Sequence, residues 1–180
     1  MSQKVHALKD KDNRWVKYLE LSEELWKKIV QETFFGILKM LECAERLLES
    51  EGHEAVCAGL YTFAVEEYGK VLLLKQYTLE NGKVKIRYRD EFRNHNRKFE
   101  TAIRVLPKEC VNLCRTGFEK GFEDGFEHKN ILADFEARLA IFYADFADSG
   151  EAIKPLPPVE EILLRKAIDK FRNIVEEIET

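Results

Sequence analysis

The chain has 180 residues, of which 45% are hydrophobic and 34% are charged, with 9 glycines and 4 prolines. Its length predicts a single domain over residues 1–180, and its apolar fraction excludes an intrinsically disordered protein. The scarcity of glycine and proline disfavours a β-sandwich or barrel rich in turns. With a net charge of −4, the chain is too acidic on average for a protein that coats nucleic acid.

The charge is distributed unevenly along the chain. Residues 83–108 contain nine basic and three acidic side chains, a net charge of +6 that leaves −10 for the remainder. A basic segment of this kind can bind phosphate groups, or it can pair with the acidic remainder of the same chain. Both interpretations stay open from the sequence.

The first half of the chain predicts two long helices. Apolar residues recur at helical spacing from Asn13, an N-cap residue type, to Ser50, where the first helix ends. The segment of residues 54–78 is apolar on almost every side, which is typical of a helix at the centre of a bundle. Residues 80–82 then predict a turn, and residues 84–88 predict either a short strand or an extended basic loop.

The second half of the chain predicts further helices. The third spans residues 91–106 and ends before Pro107. Later helices are predicted over residues 130–147 and 159–178, separated by a connector that contains prolines. Between the third helix and residue 130, a phenylalanine recurs every four residues, at Phe118, Phe122 and Phe126, and a glycine precedes each of them. The chain therefore predicts an all-α, single-domain bundle of five to six helices.

A charged motif interrupts the apolar second helix at Glu66, Glu67 and Lys70. Carboxylates inside an apolar helix are costly unless they are paired. Glu66 and Lys70 stand four residues apart, in the order that favours an ion pair on one helix face. The motif predicts either a buried ion pair that fixes the register of the helix or a polar site inside the bundle. Gly69 beside the motif allows a neighbouring element to approach closely.

His95 lies within the basic segment, in a motif that also contains Arg89, Arg93 and Lys98. Nearby positive charge lowers the pKa of a histidine and favours the neutral form, which can accept a proton. Such a histidine can act as a general base while arginine and lysine stabilise the charge on a phosphate in the transition state. The motif predicts either metal-independent RNA cleavage or a surface histidine in a basic helix.

A third group of polar residues lies on the helix predicted over residues 130–147. Arg138 and Asp145 stand seven residues apart and share one helix face, with Tyr143 to one side. The group predicts either a charge pair within the helix or a part of a functional site.

The sequence contains no pattern for a metal or a cofactor. None of the 4 histidines follows a glutamate by three positions, so the paired Glu-x-x-His motif of a di-iron bundle is absent. His53 and Glu54 are followed by Cys57, where a zinc site of the H-E-x-x-H type needs a second histidine. A P-loop and a dinucleotide-binding fingerprint are also absent. We therefore expect no cofactor.

The cysteines and the apolar runs predict a cytoplasmic, reduced protein. The 4 cysteines are too few and too scattered for a disulfide scaffold, and Cys43 and Cys57 are predicted to be small buried side chains. The first residues lack the hydrophobic core of a signal peptide. The longest uncharged run covers residues 55–65, well short of the roughly 20 residues that span a bilayer. No association with a membrane is expected.

Three motifs occur in order along the chain: Glu-Glu-x-Gly-Lys from Glu66, Phe-x-x-His-x-x-Lys from Phe92 and Arg-x4-Tyr-x-Asp from Arg138. In this order they resemble the AbiV (abortive infection protein V) family, which belongs to the HEPN superfamily of α-helical domains. The resemblance covers about residues 30–158 and leaves residues 159–180 as a C-terminal helix.

The resemblance implies an HEPN-like helical bundle that forms a homodimer. Many HEPN members cleave RNA without metal through an Arg-x4–6-His motif, which is often composed across a two-fold interface. Arg89 and His95 are separated by five residues and match this motif. In typical HEPN ribonucleases the motif lies on a late helix, whereas here it opens the third. Arg138 is therefore an alternative to Arg89 as the arginine that acts with His95.

The resemblance also assigns expected parts to the polar residues. His95 is expected to be the general base, and Arg89 or Arg138 to contact the phosphate. The residues expected to bind substrate are Lys98, Arg93, Lys70 and Tyr143. The supporting polar network is expected to consist of Glu66, Glu67 and Asp145.

Two functions stay open from the sequence. The first is an AbiV-like protein of phage defence or stress response, a metal-independent ribonuclease that arrests translation. Its partners would be RNA, a second copy of the chain, and a protein from a phage or from the translation machinery. The alternative is a non-catalytic helical module that binds a protein or a nucleotide, in which the same polar residues form a structural network.

Overall fold

The computed structural model describes residues 4–9, 15–50, 52–87, 94–110 and 161–179. Its elements, in chain order, are β1 (Lys4–Lys9), β2 (Trp15–Ser22), α1 (Glu23–Leu48), α2 (Glu54–Lys75), β3 (Lys83–Arg87), α3 (His95–Val105) and α4 (Glu161–Glu179). The predicted helical fold is confirmed, since the structure is largely α-helical. The predicted Phe118, Phe122 and Phe126 ridge, the predicted helix at residues 130–147 and the proline connector lie outside the described residues.

A small antiparallel sheet adds to the helices, with its strands in the order β1-β2-β3. The first helix is predicted to begin at Asn13, and this prediction is wrong. The residues of β2 form a strand, and α1 begins at Glu23. Leu19 and Leu21 of β2 are buried at alternate positions, and Leu21 also fits the helical spacing of the apolar residues. The pairing with β3, a strand more than 60 residues away in the chain, decides between the two periods.

The junction between β2 and α1 is a helix cap. Ser22 has an extended backbone, and its hydroxyl accepts a hydrogen bond from the backbone N–H of Leu25 at 3.3 Å. Serine is among the preferred N-cap residues because its side chain satisfies one of the unpaired donors of the first helical turn. The acidic residues that follow, Glu23 and Glu24, interact favourably with the helix dipole. These interactions therefore stabilise α1 at its N-terminus.

The turn predicted at residues 80–82 is confirmed. Glu80 and Lys83 exchange two backbone hydrogen bonds, of 2.8 and 3.1 Å. Between them Asn81 and Gly82 have φ angles of 52° and 71°. Asparagine followed by glycine is the preferred pair for a two-residue turn in which both central residues need positive φ. The turn leads into β3. The sequence predicts either a strand or an extended loop for this segment, and the structure shows a strand.

Replacing Gly82 with alanine is expected to lower the free energy of unfolding by about 1–2 kcal/mol, because a side chain disfavours the positive φ of this position. Urea denaturation of the wild type and the variant measures the change. Asn81→Gly is the control, since glycine adopts the same φ freely. Equal stability of Gly82→Ala and the wild type would contradict the assigned turn.

The core lies where α2 packs against α1, α3 and α4. Helix α2 has buried residues around most of its circumference, as expected for the central helix of a bundle. Tyr61 and Tyr68 of α2 both meet the ring of Phe171 in edge-on geometry, with centroids 5.8 and 5.4 Å apart. Across the sheet, Val84 and Ile86 of β3 are fully buried and join the same core. The sheet therefore packs against the helices and contributes side chains to their core.

The two cysteines predicted to be buried differ. Cys57 is buried, and its thiol donates a hydrogen bond to the carbonyl oxygen of Ala44 at 3.3 Å. Cys43 is exposed, so this prediction is wrong. It lies between Leu41 and Ala44, which both face the core, and one step along a helix turns a side chain by about 100°. None of the helices in the described ranges is long and apolar enough to cross a lipid bilayer.

Candidate functional site

Helices α2 and α3 cross at Gly69, and their backbones are in contact there. A Cβ atom on Gly69 would lie 1.7 Å from the carbonyl oxygen of Lys98 and 2.5 Å from its carbonyl carbon. These distances are far below any van der Waals contact, so only glycine allows this approach. The prediction that a neighbour comes close at Gly69 is confirmed, and the neighbour is the backbone of α3. The crossing brings the charged motif of α2 onto the basic motif of α3.

The N-terminus of α3 places His95 and Lys98 on the side that faces α2. Asn94 is the N-cap, and its side-chain oxygen accepts a hydrogen bond from the backbone N–H of Arg97 at 3.1 Å. Helix α3 therefore begins at His95, four residues after the predicted start at residue 91. His95 and Lys98 stand three positions apart, which puts them on one face of the helix.

Glu66 is the residue of α2 that both of these side chains contact. Its Oε1 atom lies 2.6 Å from Nδ1 of His95 and 2.5 Å from Nζ of Lys98. The Glu66 and Lys98 side chains are only 4% and 3% exposed, whereas the His95 side chain is 43% exposed. An ionised carboxylate accepts hydrogen bonds and cannot donate one, so Nδ1 of His95 carries a proton. In the neutral ring, the basic atom is therefore Nε2.

Glu67 extends this cluster to Lys70. Its Oε1 atom is 3.7 Å from Nζ of Lys98, and its Oε2 atom accepts a hydrogen bond from Nζ of Lys70 at 2.7 Å. The sequence predicts that Lys70 pairs with Glu66, four positions away, and the structure shows a pair of Lys70 with Glu67, three positions away. Glu66 contacts His95 and Lys98 of α3, so the helix crossing determines these partners of Glu66. We call Glu66, Glu67, Lys70, His95 and Lys98 the α2–α3 network.

The environment lowers the pKa of His95 below its usual value. Burial is the largest cause, because it disfavours the charged ring, and the positive charge of Lys98 acts in the same direction. The carboxylate of Glu67 opposes both. Burial also lowers the pKa of Lys98, and Glu67 again opposes the change. The sequence predicts the direction for His95, but it attributes the shift to cationic neighbours rather than to burial.

The structure brings together five of the predicted site residues, and these are the members of the α2–α3 network. Lys98 differs from the expectation in one respect: it is predicted to bind substrate, yet it lies inside the protein between two carboxylates. The remaining predicted site residues lie outside the described part of the chain. These are Arg89, Arg93, Arg138, Tyr143 and Asp145.

A groove of about 420 Å³ lies beside the network, between α1 and α2. Apolar side chains of α1 line it, among them Leu25, Ile29 and Met40, and Glu67 and Lys70 form part of the other wall. This groove is not among the features predicted from the sequence. Its signal is the run of α1 residues at positions 25, 29, 36 and 40, which share a helix edge beside the core face. The Glu67–Lys70 pair therefore belongs both to the network and to the groove.

The network provides one group suited to proton transfer. His95 has a ring that reaches the surface, a defined protonated nitrogen and a lowered pKa, which together favour a neutral proton acceptor near pH 7. The buried Glu66 orients the ring, as carboxylates orient catalytic histidines in other sites. Within the described ranges, no group of three or more histidine, cysteine or carboxylate side chains is placed to hold a metal ion.

Comparison with known proteins identifies one relationship. A family model, HEPN_AbiV, described as AbiV, matches residues 16–175 of the chain. This match spans most of the described structure: all of α1, α2, α3 and β3, and most of β2 and α4. Comparisons with curated proteins and with solved structures returned no match.

Proposed function

Because the chain belongs to the AbiV family of the HEPN superfamily, we propose that it acts in abortive infection as a metal-independent ribonuclease. The observation that carries the proposal is the contact of His95 with the buried Glu66, with nearly half of the histidine side chain at the surface. A histidine held in this way can accept a proton without first reorienting. The family supplies the defence context, and the network supplies the base.

The proposed reaction begins at the 2′-hydroxyl of a ribose. Nε2 of His95 takes the hydroxyl proton while the 2′-oxygen forms a bond to the neighbouring phosphorus. The bond from phosphorus to the 5′-oxygen of the next nucleotide then breaks, and the proton returns from His95 to that oxygen. The products are a 2′,3′-cyclic phosphate and a free 5′-hydroxyl. Cationic side chains stabilise the negative charge that builds up on the phosphate oxygens.

The arginine that supplies this charge is part of the proposal. Arg89 is separated from His95 by five residues in the chain, and Arg138 is the alternative. We propose that a homodimer brings the two copies of the site together, with RNA as the substrate. Arg93, Lys70 and Tyr143 are proposed to bind the RNA, and Asp145 to support the polar network. The proposed setting is the cytoplasm, with a phage or translation protein as a further partner.

Induced expression of the wild type is expected to stop growth and to degrade bulk RNA, and His95→Ala is expected to abolish both effects. The physical reason is the loss of the His95 ring, which is the proposed proton acceptor of the α2–α3 network and reaches the surface. Growth curves and gel analysis of total RNA from the same cultures measure the two effects. Circular dichroism of the purified variants verifies that they are folded.

His53→Ala is the matched control for this experiment. His53 is exposed at the N-cap position of α2, and its side chain makes no capping hydrogen bond. Its removal is expected to leave the growth arrest and the RNA degradation unchanged. Equal toxicity of the wild type and His95→Ala, or intact RNA in both cultures, would refute the ribonuclease proposal. Toxicity with intact RNA would favour the alternative, a binding module, for which the α1–α2 groove is the available surface.

A further inference from the structure

Lys98 occupies a place that no substrate contact explains. Its side chain is 3% exposed, and its Nζ atom lies 2.5 Å from Glu66 and 3.7 Å from Glu67. We propose that Lys98 is a positioning residue, whose buried ammonium group neutralises Glu66 and thereby keeps the adjacent His95 ring neutral and oriented. The inference rests on the proposed function, because it concerns the base of that same site.

Glu66 alone would shift His95 towards its protonated form. A single buried carboxylate beside a histidine stabilises the imidazolium form, because the opposite charge favours the protonated ring. This raises the pKa of the histidine, so a larger fraction of the rings is already protonated and cannot accept a proton. In this structure the same oxygen atom of Glu66 contacts both His95 and Lys98. The positive charge of Lys98 offsets the charge of Glu66 but leaves its hydrogen bond to His95 in place.

Burial makes this effect strong. Charges at the protein surface are screened by water and salt, whereas buried charges interact in a medium of lower effective dielectric constant. The Lys98 ammonium lies on the inner side of α3, one turn from His95, and the backbone contact at Gly69 holds that turn against α2. The positive charge is therefore close to the ring and at a defined position.

The other charged groups on α2 and α3 are consistent with this role. Helix α2 presents Glu66 and Glu67 to the network, and Glu67 shares its charge between Lys98 and Lys70. Arg97 lies between His95 and Lys98 in the sequence of α3, and its backbone N–H donates the capping hydrogen bond to Asn94. Glu67 raises the pKa of His95 while Lys98 lowers it, so these two neighbours act with opposite sign. This opposition gives the proposal its test.

The test is a pH titration of the His95 Cε1 proton by NMR in the wild type, Lys98→Met and Glu67→Gln. In Lys98→Met the titration midpoint is expected to rise by about one pH unit or more, since the charge of Glu66 is no longer offset. In Glu67→Gln the midpoint is expected to fall. Lys39→Met is the matched control, because Lys39 is an exposed lysine of α1 that pairs with Glu42. It should leave the midpoint unchanged.

The opposite directions separate this role from a merely structural one. If Lys98→Met and Lys39→Met gave the same midpoint as the wild type, the proposal would be overturned. Movement of both network variants in one direction, towards the value of an exposed histidine, would also overturn it, because loosened packing alone produces that result. If Lys98→Met does not fold, Glu67→Gln serves as the test. An unchanged or raised titration midpoint in this variant would also overturn the proposal.

The titration needs no RNA, so its result is independent of the ribonuclease proposal. Where RNA cleavage is measurable, the acid limb of its pH profile should move with the titration midpoint in each variant. A shifted titration without any RNA cleavage would refute the proposed reaction and leave the electrostatic role of Lys98 in place. RNA cleavage with an unshifted titration would refute the role of Lys98 alone.

Discussion

Gly69→Ala is expected to lower the free energy of unfolding by about 3 kcal/mol, near the upper end of the usual range for overpacking. The added methyl group would lie 1.7 Å from the carbonyl oxygen of Lys98, and the atoms in its way belong to the backbone. A side chain could rotate away, but here the whole of α3 must move. The displacement would also separate His95 from Glu66. Urea denaturation measures the stability, and the His95 titration reports the second effect.

Gly36→Ala is the matched control for this substitution. Gly36 also lies inside a long helix, but within the described residues a Cβ atom built on it meets nothing within 4 Å beyond its chain neighbours and the nearby backbone of its own helix. Alanine is favoured over glycine in a helix interior, so this variant is expected to gain about 0.5–1 kcal/mol. The two substitutions are chemically identical and should change stability in opposite directions. Two variants that were both more stable than the wild type would show that α2 and α3 do not touch at Gly69.

Glu66→Ala is expected to destabilise the protein by about 3–5 kcal/mol, because it leaves the ammonium group of Lys98 buried without its nearest partner. The double variant Glu66→Leu with Lys98→Met replaces the buried pair by apolar groups of similar size. Such replacements are often neutral or stabilising, so the double variant is expected to recover most of the loss. Denaturation of the single variants Glu66→Leu and Lys98→Met and of the double variant gives the coupling energy.

The exposed pair of Glu23 and Lys27 on α1 is the control cycle. Its side chains are 43% and 59% exposed and lie 2.7 Å apart, four residues from each other in the chain. Exposed pairs of this spacing contribute about 0.3–0.5 kcal/mol. The Glu66–Lys98 cycle should therefore give a coupling several times larger than the Glu23–Lys27 cycle. A coupling of similar size in both would mean that Lys98 is hydrated and that Glu66 does not hold it inside the protein.

The sequence was sufficient for those features that depend on neighbours along the chain. The apolar character of α2 and the Asn81–Gly82 turn follow from local preferences, and both agree with the structure. The start of α1 does not, because β2 becomes a strand only through its pairing with β3. Apolar residues of such a short segment fit a helix and a strand equally well. The tertiary contact decides between them, and a single sequence does not contain that contact.

The same division applies to the candidate site. The sequence indicates Glu66, Glu67 and Lys70 because charged residues in an apolar helix need partners. It indicates His95 and Lys98 because a histidine among cationic side chains is suited to chemistry on a phosphate. It does not reveal the contact between Glu66 and His95, since these residues are 29 positions apart and meet only at the helix crossing. The burial of Lys98 was hidden for the same reason. Lysine is seldom fully buried, so its place in a basic motif favoured a surface role.

The close spacing of the network residues along the chain has a consequence for the order of folding. All of them lie between residues 66 and 98, so α2 and α3 can meet after closure of a short connection, which carries a small entropic cost. Phe171 of α4, which packs on Tyr61 and Tyr68, lies about 100 residues further along the chain than these two tyrosines. Contacts between near neighbours form faster than contacts between distant segments. During synthesis from the N-terminus, we therefore expect His95 to meet Glu66 before the ribosome has made the residues of α4.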